Sequence, residues 1–257
     1  MNRYIEAALR GLIQGLTEFL PVSSSGHLQL MSKLGLGEQS LFFDIMLHIS
    51  TLIVVVIIYR KSIINIIKNP FGPKAKFIII ASIPTAILAA LVRYFLYDYS
   101  MVMLPFAFML TTVFLVSTIF AQKQDMTLKW RNGYTKVALL TGIFQGVATL
   151  SGVSRSGSVI TCLRHAGMEK EESSELTFLL SIPIIIGSAI IELIFYKGGE
   201  KIIPLELIIG MLFALIGGFL AIKTFIKLFK KGQIWIFGIY TFLLSIVSFY
   251  IVFFSGK

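Results

Sequence analysis

The sequence predicts an all-α polytopic membrane protein, with six transmembrane helices plus two re-entrant helix-loop-helix hairpins in an inverted-topology repeat. Three observations carry that prediction. Hydrophobic residues make up 56% of the 257 and charged residues only 14%, with a mean hydropathy of +0.86, whereas an average soluble domain has about 25% charged residues. The apolar residues gather into stretches of the roughly 20 residues that a helix needs to cross a bilayer. Two further apolar stretches are interrupted by a polar, glycine-rich sequence at corresponding places of the two halves, which is the sequence mark of a buried site between inverted repeats.

The first broken segment runs from about 4 to 36 and the second from about 135 to 166. Gly11-Leu-Ile-Gln14-Gly15 leads to Val22-Ser23-Ser24-Ser25-Gly26 in one, and Gly142-Ile-Phe-Gln145-Gly146 leads to Val153-Ser154-Arg155-Ser156-Gly157 in the other. At a fixed offset of 131 residues, Gly11, Gln14, Gly15, Val22, Ser23, Ser25 and Gly26 meet identical residues in the second copy. Chance rarely does that in so short a window. Each segment begins as an apolar helix, breaks at 21–26 or 151–157, and resumes for about ten residues. Non-helical backbone at membrane depth is tolerated only where it is buried in protein or faces a wet cavity, so these segments read as re-entrant hairpins. Eight ordinary spans are the alternative, and they would expose a polar kink to lipid in each broken segment.

Spans at 42–59, 77–97 and 102–121 complete a first repeat of about 4–121. A cytoplasmic linker, 122–134, leads to a second repeat of about 135–254 with spans at 176–196, 203–222 and 234–254. Residues 1–257 thus form a single membrane domain. A hairpin returns the chain to its side of entry and three spans then carry it across, so the second hairpin enters from the opposite face. The halves are inverted and their broken loops can meet near the midplane.

Orientation follows from the basic residues. Arg60, Lys61, Lys68, Lys74, Lys76, Lys123, Lys129, Arg131, Lys136, Arg164, Lys170, Lys223, Lys227, Lys230 and Lys231 share one side, 15 of the 23 Lys and Arg. The positive-inside rule makes that side cytoplasmic, which places both termini and the mouth of the first hairpin outside. The net charge of +10 then reflects topology and attraction to anionic lipid, not a nucleic-acid footprint. Asn69-Pro-Phe-Gly-Pro73 is expected as a cytoplasmic turn and the acidic patch at 169–175 as a solvated one. No removable signal peptide is expected. The single cysteine, Cys162, excludes an internal disulfide and reads as a small buried hydrophobe.

The chemistry lies in the two breaks. Residues after Gly26 and Gly157 restart helices, so their free N–H groups and positive dipole ends point into the cavity and suit an anion. The bland reading is that Gly and Ser merely let helices pack closely. Arg155 stands between two serines at mid-membrane, where even a lenient scale charges about 2.5–3.5 kcal/mol, so it must face a cavity or a counter-ion. Its planar fork suits a phosphate bidentately, and an ion pair with Glu18 is the competing role. Glu18 lies one turn past Gln14, so both share a helix face. Carboxylate plus amide oxygen, completed by substrate phosphates and water, suits a hard divalent cation, Mg2+ or Ca2+. His27 follows the serines directly and is placed either to accept a proton or to cap the turn. Asp44 and His48, one turn apart, form a local pair or line the cavity mouth. Gln145 mirrors Gln14 and is expected to tie the second break together.

Gln14-Gly-Leu-Thr-Glu18-Phe-Leu-Pro-Val-Ser23-Ser24-Ser25-Gly26-His27, Phe43-Asp44 with His48, Gly152-Val-Ser154-Arg155-Ser156-Gly157 and Phe178-Leu-Leu-Ser-Ile-Pro183 resemble the undecaprenyl-diphosphatase, or bacitracin-resistance, family. Most of the chain is covered, in the right order. The resemblance implies an integral inner-membrane enzyme that removes the terminal phosphate of undecaprenyl diphosphate and so regenerates the monophosphate carrier for peptidoglycan and other envelope glycans. It matches Gln14 and Glu18 to the family's acidic motif, Ser23, Ser24, Ser25 and His27 to its serine-rich turn, and Arg155 to its second motif. Two departures stand out, Ser151 where the family usually has proline and Val159 where it has threonine.

The expected reaction is phosphoryl transfer at a membrane-embedded site open to the outer face. Glu18 and Gln14 hold the cation. Arg155, Ser23, Ser25, Gly26, Ser154, Ser156, Gly157 and Gln145 contact the phosphates. Either Ser24 attacks with His27 as its base or a metal-bound water attacks, and the sequence leaves both open. Membrane lipids are the expected surroundings, and a homodimer is left open. The alternative function is a transporter or flippase of a polyprenyl phosphate lipid on the same inverted repeat, and a weaker one is a structural protein without a site.

Overall fold

The computed structural model describes residues 2–36, 40–121, 134–196 and 203–255, and among them every regular element is helical. The first broken segment forms α1 (Arg3–Phe19) and α2 (Ser24–Lys33), followed by α3 (Leu41–Ile58), α4 (Arg60–Lys68), α5 (Pro73–Leu96) and α6 (Ser100–Ser117). The second forms α7 (Tyr134–Val147) and α8 (Arg155–His165), followed by α9 (Lys170–Leu179), α10 (Ser181–Phe195), α11 (Pro204–Lys230) and α12 (Ile236–Phe254). The starts are chemically marked. The Ser40 hydroxyl accepts the Phe43 N–H at 3.1 Å, and proline opens α5 and α11, where its missing N–H costs nothing.

Five described stretches are long and apolar enough to cross a membrane: Leu41–Ile58, Pro73–Phe120, Lys170–Ile194, Pro204–Lys230 and Ile236–Phe254. The second contains α5 and α6, which correspond to the separate spans expected at 77–97 and 102–121. Ile79, Ile83, Ile87 and Leu91 form an exposed apolar stripe along α5, and Ile208, Leu212, Ile216 and Leu220 form another along α11. Outward stripes of that size belong in lipid, so the chain is a polytopic membrane protein.

Three expectations need adjusting. The span at 176–196 starts earlier, at Lys170, and carries a one-residue interruption: α9 stops at Leu179 and α10 restarts at Ser181, because Pro183 offers no N–H to the Leu179 carbonyl. The span at 203–222 continues to Lys230, whose last turn carries Lys227 and Lys230, cations suited to a helix C-terminus. The acidic patch is paired as well as solvated, with Glu175 to Lys74 at 2.7 Å and Glu171 to Lys230 at 3.5 Å. The short helix α4 had no expectation, and it has no buried residue. The turn at 69–72 is present, closed by the Gly72 N–H on the Asn69 carbonyl at 2.9 Å. Most of the linker at 122–134 lies outside the described residues.

The packing is reciprocal between the halves: α1 of the first lies along α11 of the second, α7 of the second lies along α5 of the first, and α6 pairs with α12. The duplicated glycines explain the first two contacts. A Cβ on Gly11 would collide with the Gly210 carbonyl, one on Gly15 with the Ala214 carbonyl, and one on Gly142 with the Ala81 carbonyl. At these three glycines the helices meet backbone against backbone. Beneath the breaks, Phe19, Phe178, Phe225 and Phe229 pack with Val54, Val55, Ile160 and Ile222 into the main core.

Candidate active site

The two breaks touch each other. Val22 leads into Ser23, whose φ of 69° is the one positive value at a non-glycine residue among those described. Such a conformation costs about 1–3 kcal/mol and persists only where the surroundings hold it. The Ser23 hydroxyl accepts the Gly26 N–H at 3.4 Å and, from the other hairpin, the Gly152 N–H at 3.1 Å. Gly152 itself has φ 97°, and a Cβ there would lie 2.7 Å from that of Ala107, so glycine is required twice over. Thr111 of α6 fastens the second break, donating to the Gly152 carbonyl at 3.0 Å and accepting the Ser154 N–H at 2.9 Å. Ser154 caps α8 by accepting the Gly157 N–H at 3.1 Å, and Ser156 donates to the Leu20 carbonyl at 3.3 Å. Gln29 reaches across to the Ser151 hydroxyl at 3.0 Å.

Glu18, its side chain 4% exposed, is the centre of the cluster. One carboxylate oxygen accepts the Gln14 amide at 2.9 Å and the Ser24 hydroxyl at 2.5 Å. The other forms an ion pair with Arg155 from the second hairpin, whose second terminal nitrogen donates to the Ser181 carbonyl at 3.4 Å. His48 Nε2 stands 3.7 Å from the same Glu18 oxygen that takes Ser24. Of the two roles weighed for Arg155, the ion pair with Glu18 is the one observed; the guanidinium has five N–H donors and the carboxylate does not occupy them all.

The cluster unites Gln14, Glu18, Ser24 and Arg155, and brings in His48. His27 lies apart from it. Its Nδ1 faces the Ser23 carbonyl at 2.6 Å and its Nε2 the Tyr240 hydroxyl at 2.8 Å, so both nitrogens are engaged and the Ser24 proton goes toward Glu18 instead. Gln145 also lies apart: its amide donates to Thr85 of α5 at 3.2 Å, as a tie for the second break. The Gly26 and Gly157 N–H groups are used as helix caps by Ser23 and Ser154. The Asp44 carboxylate accepts Arg10 at 2.9 Å, while His48 meets the Asp44 backbone carbonyl through Nδ1 at 2.8 Å and turns Nε2 to Glu18. Cys162 is buried and free of a disulfide, as expected.

Among the described residues no group of three or more His, Cys, Asp or Glu side chains could hold a metal ion. The Gln14 amide oxygen, however, is buried without a hydrogen-bond partner, one turn from the Glu18 carboxylate. The nitrogen of that amide, not this oxygen, faces the carboxylate; with the amide turned over, the two would offer a hard cation an oxygen pair whose other ligands come from substrate and water.

The fold and this cluster define an integral-membrane protein with charged side chains buried together at two helix breaks. The chain belongs to the family described as bacitracin resistance protein BacA, which matches residues 7–247. It is similar to undecaprenyl-diphosphatase 3 of Bacillus cereus, 37% identical over 254 residues and 95% of each chain. It is also similar to undecaprenyl-diphosphatase 4 of Bacillus thuringiensis, 37% identical with 95% of each covered, and to the undecaprenyl-diphosphatase of Carboxydothermus hydrogenoformans, 36% identical with 96% of each covered.

Proposed function

We propose that the protein is an undecaprenyl-diphosphate phosphatase of the bacterial inner membrane, releasing inorganic phosphate and returning undecaprenyl phosphate for cell-wall synthesis. The family and the names of its relatives support the reaction. The single observation that supports a site for it is the convergence of Ser24, Glu18 and Arg155 from two separate helix breaks.

The Ser24 hydroxyl, already donating to Glu18, attacks the terminal phosphorus while its proton passes to that carboxylate. The bond from phosphorus to the bridging oxygen breaks, and undecaprenyl phosphate leaves. Water then attacks the phosphoserine, and the Glu18 carboxyl returns its proton to the Ser24 oxygen as that bond to phosphorus breaks. The protons of the water leave with inorganic phosphate, so Ser24 and Glu18 are both restored. Arg155 holds charge on the equatorial oxygens through the donors that Glu18 leaves over. Glu18 and the Gln14 amide oxygen would hold a divalent cation, Mg2+ or Ca2+, which when bound neutralises diphosphate charge.

The two halves are read as an inverted repeat, a reading that the reciprocal packing of α1 on α11 and α7 on α5 supports, and the first hairpin is read as opening outward from the distribution of basic residues. The diphosphate then enters from the outer leaflet and its tail stays among lipids. The test is phosphate release from undecaprenyl diphosphate by purified protein, with and without a chelator, beside Ser24→Ala. Lipid binding or transbilayer movement without phosphate release would favour a carrier and overturn the proposal.

A further inference from the structure

The reach of the site extends to α12, through Tyr240. Its ring lies parallel to that of His27, with centroids 5.7 Å apart and planes 7° from each other, while Phe108 meets the same imidazole edge-on at 5.9 Å. A carbonyl can only accept, so the contact of His27 Nδ1 with the Ser23 oxygen at 2.6 Å puts the proton on Nδ1. Nε2 of the neutral ring then accepts the Tyr240 hydroxyl at 2.8 Å. The Ser23 carbonyl thus sets the tautomer of His27, while Tyr240 and Phe108 hold its ring plane.

Tyr240 is itself held by a rigid frame. The next residue, Thr241, shares a hydrogen bond of 2.8 Å with Thr112 of α6, and Ser245 donates to the Pro105 carbonyl at 2.8 Å. Gly238 lets the two helices approach, since a Cβ there would lie 3.0 Å from Val116. What this frame supports is the left-handed backbone of Ser23, which directs the next hydroxyl, that of Ser24, onto Glu18. The Ser23 carbonyl also accepts the His27 backbone N–H, at a longer 3.3 Å, so the imidazole at 2.6 Å is its closer anchor. Without the ring, only the longer bond would hold that carbonyl and Ser24 could drift from the carboxylate.

We propose that Tyr240 is a positioning residue: by fixing His27 against the Ser23 carbonyl it keeps Ser24 aimed at Glu18. The proposal rests on the reading of Ser24 and Glu18 as the reacting pair. Reactivity that depends on alignment falls steeply when a supporting contact is removed, with binding of the substrate left alone.

The test compares Tyr240→Phe, which keeps the stacked ring and removes the hydroxyl, with Tyr240→Leu, which removes both, in the purified full-length protein. For Tyr240→Phe, kcat for undecaprenyl diphosphate should fall roughly tenfold, as expected for one lost hydrogen bond, with KM within about twofold of wild type. Tyr240→Leu should fall further. In protein carrying 15N-labelled histidine, the Nε2 signal of His27 should shift in Tyr240→Phe while those of His48 and His165 stay. A kcat for Tyr240→Phe equal to wild type, a raised KM with kcat preserved, or a loss of activity with the His27 signal unmoved would each overturn the proposal. Ser24→Ala assayed alongside separates two failures. Normal turnover in Ser24→Ala overturns both the reacting pair and the proposal, whereas an inactive Ser24→Ala beside a fully active Tyr240→Phe removes only the role of Tyr240.

Discussion

The guanidinium of Arg155 closes on the carboxylate of Glu18 across 137 residues of chain and between two broken helices. One half of the molecule supplies the acid and the hydroxyl, and the other supplies the cation. The duplicated motif therefore does not build two equal sites. At the offset of the repeat, Glu18 corresponds to Thr149, Ser24 to Arg155 and His27 to Ser158, so the copies share a backbone contact at Gly11 and Gly142 while their chemistry differs.

This pairing sets the first prediction. Arg155→Lys preserves the charge beside Glu18 but loses the fork, and kcat should fall on the order of 100-fold while the protein folds normally. Arg155→Ala should also unfold at lower temperature, because it leaves a carboxylate buried without a counter-charge, at a cost of roughly 3 kcal/mol. Enzyme kinetics and thermal unfolding in detergent check the two together. Near-normal turnover of Arg155→Lys would end the role of Arg155 as a phosphate clamp.

Glu18 and Gln14 give the second. Glu18→Gln should depress activity and raise the divalent-cation concentration needed for half-maximal rate. Gln14→Glu should remain active, since an oxygen donor stays in place, but it exchanges the amide that donates to Glu18 at 2.9 Å for a like charge. Its activity should therefore depend more steeply on the cation. An unchanged cation requirement in both variants would remove these residues from a metal site and leave Glu18 as the acceptor of the Ser24 proton alone.

A third prediction separates packing from chemistry within the repeated motif. Gly11→Ala and Gly142→Ala push a methyl group against the carbonyls of Gly210 and Ala81, which belong to helix backbone and cannot step aside as a side chain would. Each should destabilise by about 1–3 kcal/mol, while the folded fraction keeps the wild-type KM. Thermal unfolding and kinetics on the same preparations test this, and a raised KM at unchanged stability would move these glycines into the site.

Much of this was legible in the sequence, for physical reasons that differ by element. Long apolar runs must be helices in lipid, and polar breaks at a fixed offset are best buried together, so the two helix breaks and the meeting of Glu18, Ser24 and Arg155 follow from the residues. The interruption between α9 and α10 did not, because a proline three residues into a resumed helix looks the same as one tolerated within a span. Partners distant in the chain were hidden too. Tyr240 is one aromatic among many in an apolar helix, and only the fold brings it to His27. The proximity of those serines to His27 in sequence suggested a base that the structure instead pins to the Ser23 carbonyl.

The last prediction joins topology to mechanism. The distribution of basic residues places the connection after α2 outside and the turn between α4 and α5 inside, and the outward opening of the proposed site depends on it. Leu36, 43% exposed, and Phe71, 84% exposed, stand at those two places. Single cysteines at Leu36 and at Phe71, each in a Cys162→Ala background, can be challenged in intact cells with a thiol reagent that does not cross the membrane. Labelling of Leu36→Cys alone is expected, with Phe71→Cys reacting only after the cells are opened. The reverse pattern would turn the protein over in the membrane, so that the serine-bearing hairpin opened to the cytoplasm and the diphosphate head group entered from the inner leaflet.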